Sequence, residues 1–448
     1  MKLKTLFFFF LTCSLLGFSI TPFSTPAKPK ANTSQQDNLT KDVARFNREL
    51  QLIKNEYVQP TSEHQLLHNA MQGMASGLDP HSSFLDADDL KDLQTATTGQ
   101  FSGLGLEVAM EEGLLRVITP IDDGPAQKAG IKPGDWILRI NNTPIQGLSL
   151  REAVKKMRGE KGSSIQLMLV RQGVHKPLLV NLKREIIHVQ SVKGRMLETD
   201  YAYIRINSFQ SSTRHDLDKL VAQLQHQQKT PIKGLVLDLR NNPGGLLSSA
   251  ADVANAFLDP KNMKFNQLIV YTKGQSPEAN LKIVAKANNQ IYPGTLIVLI
   301  NQGSASGAEI VAGALQDNKR AVIFGTKSFG KGSVQTVIPL DETTALELTT
   351  ALYYTPSGRS IQAAGIAPDI TLDELKVNTL DENPAGPIYL HESELKGHLK
   401  NTNIIQKTIF APNKLNNDDL VKNDYQLFEA LNLLKSMAVI EEESRSCG

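Results

Sequence analysis

The chain has 448 residues, 40% of them hydrophobic and 21% charged, with a formal net charge of +2. That length exceeds what one compact core organises and implies two or three domains. The near-neutral balance, without a basic run interleaved with aromatics, excludes a nucleic-acid-binding protein, and two cysteines, Cys13 and Cys447, exclude an internal disulfide framework or a cysteine-based metal site.

The first residues, MKLKTLFFFFLTCSLLGFSI, place Lys2 and Lys4 ahead of an apolar run, and the Pro/Ser/Thr-rich TPFSTPAKPKA follows. This is the three-part plan of a secretory signal, expected over residues 1–27. An uncleaved anchor is the alternative, because the run is about the shortest that spans a bilayer. A lipoprotein signal would need its cysteine to close the run, and Cys13 lies inside it. The mature chain is therefore expected to be exported, with a periplasmic location, in possible association with the inner membrane.

Residues 28–38 are polar and read as a disordered spacer. Val43, Phe46, Leu50, Ile53 and Tyr57 recur in steps of three and four, one face of a helix that ends near Gln59-Pro60. Ser62 to Gln65 form a capping box ahead of a second helix with Leu67, Met71 and Met74. His64 and His68 share a face of that helix and read as solvated rather than as metal ligands. SGLDPHSSFLDADDL then supplies a turn and a third helix start, closing an N-terminal helical segment over 39–98.

From 99 to 185 short strands alternate with glycine turns: FSGLGLEVAM, LLRVITPI, the short helix GPAQKAG, the hairpin IKPGDWILRINNTPI, the helix LREAVKKMRG and the strand SSIQLMLVRQG. From 186 to 375 apolar strands alternate with helices: AYIRINSF, TRHDLDKLVAQLQHQQ, GLVLDLRNNPGGLL, SSAADVANAFL, GTLIVLINQGSAS, AEIVAGALQ and RAVIFG. That alternation argues for βαβ units and a largely parallel sheet, so the fold class is mixed α/β and multidomain. Residues 376–448 turn polar, with one late amphipathic helix through Leu420, Leu427, Phe428, Leu431 and Leu434.

In GSASGAEIVAG, Ser304 and Ser306 lie where the strand TLIVLI gives way to a helix. Open α/β sheets place ligands at the carboxyl ends of strands, where helix N-termini direct free N–H groups outward. Ser304 fits an N-cap or turn residue, whereas Ser306 has Ala305 and Gly307 on either side, which let a substrate backbone come close. A serine hydroxyl needs a base. His81 in DPHSS is one option. A lysine kept neutral by burial is the other, and GTKSFGKGSVQTVIPL offers Lys327 and Lys331 after the next strand of the same sheet. Lys331 sits between two glycines, and Gln335 shares its face if the following strand is regular.

GTKSFGKG comes close to a phosphate loop, yet Gly332 stands where a magnesium-binding hydroxyl is required, so no nucleotide is expected. No cofactor or metal is implied. Acyl transfer also requires oxyanion donors. Gly307 supplies one N–H, and the NNPGG loop, Asn241 to Gly245, is a second source.

These segments resemble the C-terminal processing peptidases, or tail-specific proteases, which are Ser–Lys dyad serine peptidases with an inserted PDZ domain. The matches are GSASGAEI, FGKGSVQ, LDPHSSFL, DLRNNPGGLL and YYTPSGRSIQAAGIAPDI, in the family's order, with serine and lysine 25 residues apart. The resemblance implies Ser306 as nucleophile, Lys331 as general base and Gln335 as its orienting partner. Gly307 with Gly244 or Gly245 would form the oxyanion hole. Residues 99–185 would be the PDZ domain, inserted between the N-terminal helices and a protease core over 186–375. Its loop Gly103, Leu104, Gly105 and Leu106 would hold the terminal carboxylate of a protein substrate while the strand pairs with the tail. Apolar tails and cell-envelope clients are the expectation, with self-association or adaptor docking through the C-terminal extension.

Gly307-Ala308 departs from the Ala-Ser that the family often carries after the nucleophile. Two rivals compete with this reading. One is a non-catalytic PDZ scaffold that captures tails, against which intact Ser306, Lys331 and Gln335 count. The other is an S-x-x-K acyl-serine enzyme, and it fails because Glu309 stands where the lysine is needed.

Overall fold

A computed structural model of the protein describes residues 33–121, 123–174, 176–373, 375, 420–421 and 423–446. The expected signal, most of the C-terminal extension and Cys447 lie outside these residues. Helix α1 (Thr33–Glu56) begins inside the stretch expected as a spacer, a correction whose reason is local. The run TSQQDNLTK has no apolar period to reveal a helix, yet no proline or glycine to prevent one. Ser62 accepts the Gln65 N–H through its hydroxyl at 3.1 Å ahead of α2 (Glu63–Ser76). The Gln65 side chain, however, donates to Asn69 rather than closing the box.

The turn SGLDPHS leads to β1 (Ser83–Leu85) and α3 (Ala87–Thr98). Asp86 caps α3 by accepting the N–H groups of Asp88 and Asp89. Gly99, at φ +69°, stops it in the left-handed region.

Next come β2 (Gln100–Gly103), β3 (Leu106–Glu111), β4 (Leu114–Pro120), α4 (Pro125–Lys128), β5 (Trp136–Ile140), β6 (Thr143–Pro144), α5 (Leu150–Met157), β7 (Ser164–Val170), β8 (Leu178–Lys183) and β9 (Glu185–His188). Strands β3-β4-β5-β7-β8 form an antiparallel sheet around the wholly buried Leu115, Val117, Ile137, Leu167 and Leu169. β2 and β9, paired with each other, carry the chain into and out of this domain.

The second half contains β10 (Val192–Glu198), β11 (Tyr201–Ile206), α6 (Thr213–His226), β12 (Gly234–Asp238), α7 (Leu247–Asn255), β13 (Leu268–Gly274), β14 (Lys282–Val284), β15 (Thr295–Ile300), α8 (Gly307–Asp317), β16 (Val322–Gly325), β17 (Ser333–Pro339), β18 (Ala345–Tyr354), β19 (Ile370–Thr371) and α9 (Tyr425–Ser446). The main sheet runs β10-β11-β12-β15-β16-β19. Every neighbouring pair in it is parallel except β10 with β11. Parallel strands buried on both faces read as unbroken apolar runs, and GLVLD and TLIVLI divide by alternation. Leu235, Leu237, Leu296, Val298 and Ile300 join the core beneath α6, α7 and α8. Val236, Ile297 and Leu299 point the other way, where Leu427, Ala430 and Leu434 of α9 cover them.

Helix α9, the late amphipathic helix expected within the C-terminal extension, thus forms a layer against the sheet of the protease core. A sheet with helices on one face leaves the other face apolar and exposed, and α9 meets that need. Leu420 lies ahead of this helix rather than in it. Arg240, at the end of the strand run DLR, donates to Asp238 and to both carboxylate oxygens of Asp424. Burial disfavours the guanidinium charge, but Asp424 and Asp238 outweigh it and hold Arg240 well above its ordinary value. Asp424→Ala is expected to lower stability by roughly 3 kcal/mol, since it leaves a buried cation short of a partner. Urea unfolding measures it.

A second, antiparallel sheet was not anticipated. It runs β1-β18-β13-β14, with β17 also paired to β18. Two of its pairs, β13 with β14 and β17 with β18, join consecutive strands, but β1 and β13 reach β18 from far along the chain, so no local signal announces the whole sheet. It brings Ser83 opposite Glu347.

Candidate active site

Three loops leave the carboxyl ends of neighbouring parallel strands: Leu239–Leu246 after β12, Asn301–Ser306 after β15, and Thr326–Gly332 after β16. Asparagines tie the first two together. Asn301 accepts the Asn241 N–H at 2.9 Å and donates back to the Asn241 side chain at 3.0 Å, and Asn242 carbonyl accepts the Ala305 N–H at 2.9 Å.

The two serines have different surroundings. Ser304 is fully buried, its hydroxyl donating to Leu239 carbonyl at 2.8 Å and accepting the Asn301 N–H at 2.9 Å. It is a turn residue. Ser306 is the N-cap of α8 at φ 52° and ψ −111°, a conformation rarely adopted by a residue with a Cβ. Backbone strain of this kind costs of order 1–3 kcal/mol and persists only where the surroundings over-determine it.

The surroundings that do so centre on Glu309, the acidic residue of GSASGAEI, which the sequence alone assigns no role. Its carboxylate is wholly buried and accepts four hydrogen bonds. Oε2 takes the Ser306 N–H at 2.8 Å and the Lys331 N–H at 2.9 Å. Oε1 takes the Gly330 N–H at 2.7 Å and the Ser328 hydroxyl at 2.6 Å. One side chain therefore joins the backbone of the expected nucleophile to that of the expected base. Burial pushes the Glu309 carboxyl above its ordinary value, against the pull of these donors. The Tyr353 phenol adds a second tie, lying against the carbonyls of Ser306 and Lys331. Burial, and then the Glu309 charge, keeps that phenol protonated.

Lys331 is half-buried, whereas Lys327 is exposed. Burial holds the Lys331 ammonium below its ordinary value, partly offset by the charges of Glu347 and Asp79. The flanking glycines have a steric reason. A Cβ on Gly332 would meet Gln362 N at 2.6 Å, and one on Gly330 (φ +98°) would meet Gly365 N at 3.1 Å. The segment SGRSIQAAGI thus forms the floor under the lysine.

Gln335 differs from its expected arrangement. The β17–β18 ladder breaks at a bulge between Val334 and Gln335, so the regular alternation assumed for Lys331 and Gln335 does not hold. The Gln335 amide nitrogen donates to Ser333 and Thr349 hydroxyls, each at 3.1 Å, not to Lys331. His81 belongs to the same neighbourhood. Burial, and then the charge on Lys331, lowers it.

Of the expected oxyanion donors, Gly244 lies closest to the serine, for a Cβ on it would meet Ser306 Cβ at 2.8 Å and Gly307 N at 2.9 Å. Its N–H, however, donates to Asn242 Oδ1 at 2.8 Å, which removes it as a donor. Among the described residues the N–H groups of Gly245 and Gly307 have no acceptor. At Gly307 a Cβ would meet the Phe209 ring at 2.8 Å, so this chain's glycine follows from a bulky buried neighbour.

In the smaller domain, Gly103 ends β2 and Leu106 opens β3. The loop carbonyls are tied back, Leu104 to the Ala126 N–H at 3.0 Å and Gly105 to the Ile121 N–H at 2.8 Å. The N–H groups of Leu104 and Gly105 have no acceptor among the described residues. Among the described residues strand β3 pairs only with β4, leaving an edge. Its Leu106, Val108 and Met110 side chains, with Val154 of α5, rest on the domain core.

A serine on a strained helix cap at the rim of a parallel sheet, with an edge-strand peptide-binding domain ahead of it, defines a PDZ-bearing serine peptidase. The profile of peptidase family S41 matches residues 200–372, that of the PDZ domain 94–170, and that described as the activating protease CtpB N-terminal domain 19–89. The chain is similar to a carboxy-terminal-processing protease of Bartonella bacilliformis, at 46% identity over 90% of each chain. It is also similar to the carboxy-terminal processing protease CtpA of Bacillus subtilis, at 33% identity over 82% of this chain and 76% of that one. Among solved structures, the photosystem II D1 C-terminal processing protease is 29% identical, covering 73% of this chain and 92% of its own, with a TM-score of 0.41. The chain belongs to peptidase family S41, among the carboxy-terminal processing proteases.

Proposed function

We propose that the protein is an exported serine endopeptidase that captures proteins by apolar C-terminal tails and cleaves them with a Ser306–Lys331 dyad. The observation that carries this reading is the Glu309 carboxylate, which accepts the backbone N–H of both residues. Neutral Lys331 takes the Ser306 proton as the hydroxyl attacks the scissile carbonyl. The Gly307 and Gly245 N–H groups receive the developing oxyanion, and Lys331 returns the proton to the leaving amine. Water then hydrolyses the acyl-enzyme, again with Lys331 as base. Gln335 orients the amine. Export rests on Lys2, Lys4 and the apolar run behind them.

Tail capture rests on the β3 edge and the Leu104 and Gly105 N–H groups. The free carboxylate binds at the loop, the tail adds a strand to β3, and the apolar floor selects apolar side chains. The test is cleavage of a reporter protein ending in an apolar tail, compared with the same tail amidated or ending in aspartate. The apolar free-acid tail should be cut fastest. Equal rates on all three would remove the tail reading. Gly105→Val should weaken binding of the tail peptide about tenfold. The position is at φ +70°, which costs a β-branched residue about 1–2 kcal/mol, and a Cβ there meets Ile187 at 3.2 Å. Calorimetry reads it.

The base assignment fixes a pH dependence. With Lys331 as base, kcat/KM falls as pH drops through its pKa, because the protonated amine takes no proton. Glu347→Gln removes a charge that favours the ammonium, so the acid limb should move to lower pH. A limb that stays in place or moves up contradicts the assignment.

A further inference from the structure

We propose that Asp79 is a positioning residue for this reaction, acting through the Thr349 hydroxyl to fix which end of the Gln335 amide faces Lys331. The inference rests on the reading of Lys331 as base and Gln335 as its partner.

The turn LDPHSS reaches this place because β1 pairs with β18, and Thr349 N–H donates to Ser82 Oγ at 3.1 Å. Asp79 accepts four donors: the His81 and Ser82 N–H groups at 2.8 and 3.0 Å, the Ser82 hydroxyl at 2.7 Å and the Thr349 hydroxyl at 3.1 Å. Thr349 Oγ1 in turn accepts from Gln335 Nε2 at 3.1 Å, and Ser333 Oγ accepts from the same nitrogen at 3.1 Å.

The direction of this chain follows from chemistry. An ionised carboxylate only accepts, so Thr349 must turn its single hydrogen toward Asp79. Its oxygen is then an acceptor, and the amide must present NH₂ to it. Both Gln335 N–H donors are thereby engaged by hydroxyls, and Oε1 is left as the end able to meet the lysine. Although burial opposes it, the donors from Ser82, His81 and Thr349 together hold Asp79 below its ordinary value, so it stays an acceptor across the working range.

The consequence lies in the amine. A neutral lysine must aim its lone pair at Ser306, and an Oε1 that accepts one amine N–H fixes that aim. A flipped amide would donate to the lone pair and occupy it. Asp79 and Glu347 act on Lys331 electrostatically, and Lys331 acts on His81, which puts the turn within reach of the base.

The experiment uses the full chain, with kcat and KM on the apolar-tailed reporter, tail-peptide affinity and melting temperature for each variant. Thr349→Val keeps the shape and removes the hydroxyl. It should lower kcat about 10- to 100-fold at unchanged KM and tail affinity, the scale of a misaimed catalytic group. Thr349→Ser should restore most of the rate. Asp79→Asn, which can donate as well as accept, should lower kcat in the same way. In a Gln335→Ala background neither Thr349→Val nor Asp79→Asn should cost anything more. Full activity of Thr349→Val beside an impaired Gln335→Ala overturns the relay and leaves Gln335 in its role. Full activity of Gln335→Ala overturns the underlying reading and the relay with it. Losses that add to Gln335→Ala, or a Thr349→Ser variant as slow as Thr349→Val, assign the turn a structural role and also overturn it.

Discussion

Lys331→Arg is expected to be as inactive as Lys331→Ala, with kcat/KM down about 10²–10⁴-fold in both, the range that a general base contributes. Arginine keeps the positive charge and most of the length, and its guanidinium stays protonated at any working pH. A lysine that only supplied charge or filled space would be rescued by it. Lys331 instead sits where burial disfavours the ammonium. Ser306→Ala should drop activity further, by about 10⁴-fold or more, because no acyl-enzyme can form. Tail-peptide binding should survive all three changes, since Leu104 and Gly105 belong to a loop of the smaller domain, which has its own core. His81 is the rival base, and the same series weighs it. Should Lys331→Ala keep substantial cleavage that is then lost on adding His81→Ala, the base is the histidine.

The parallel sheet and the two candidate residues were legible in the sequence because the signals are local. GLVLD and TLIVLI are unbroken apolar runs bounded by glycine, and Ser306 and Lys331 follow the ends of neighbouring strands. What escaped depends on contacts between distant segments. The antiparallel sheet joins Ser83 to Glu347 and Tyr271 to Tyr354, pairs that no turn chemistry connects. Helix α9 was visible as a periodic pattern. Its place against Val236 and Leu299 follows only once the sheet is seen to have helices α6 to α8 on one face. Gly244 looked as good an oxyanion donor as Gly245, and the difference is one side chain, Asn242, which takes up the Gly244 N–H. Glu309 gave a partial signal. A carboxylate in the first turn of a helix whose next six residues, Ile310 to Leu315, are all apolar or small needs a buried set of donors, and that alone marks it.

Glu309 is the position where a substitution should cost both stability and rate. Glu309→Ala leaves the N–H groups of Ser306, Gly330 and Lys331 and the Ser328 hydroxyl without their acceptor. An unmet buried donor costs about 1–3 kcal/mol, so a total loss of roughly 3 kcal/mol or more is expected even after partial relaxation. Glu309→Gln separates the two effects. Its carbonyl oxygen can serve one pair of donors while its NH₂ faces the other. The better placement keeps the oxygen on Ser306 and Lys331, because the Ser328 hydroxyl can turn to accept whereas Gly330 N–H cannot. That variant should fold with a smaller stability loss and still lose rate, since Gly330 is the residue before Lys331 and its release loosens the loop that carries the amine. Urea unfolding together with kcat measures the pair. A Gln variant with full activity and reduced stability would make Glu309 a purely structural acceptor. Loss of rate in the Gln variant, with tail binding intact, would make it the residue that keeps nucleophile and base in register.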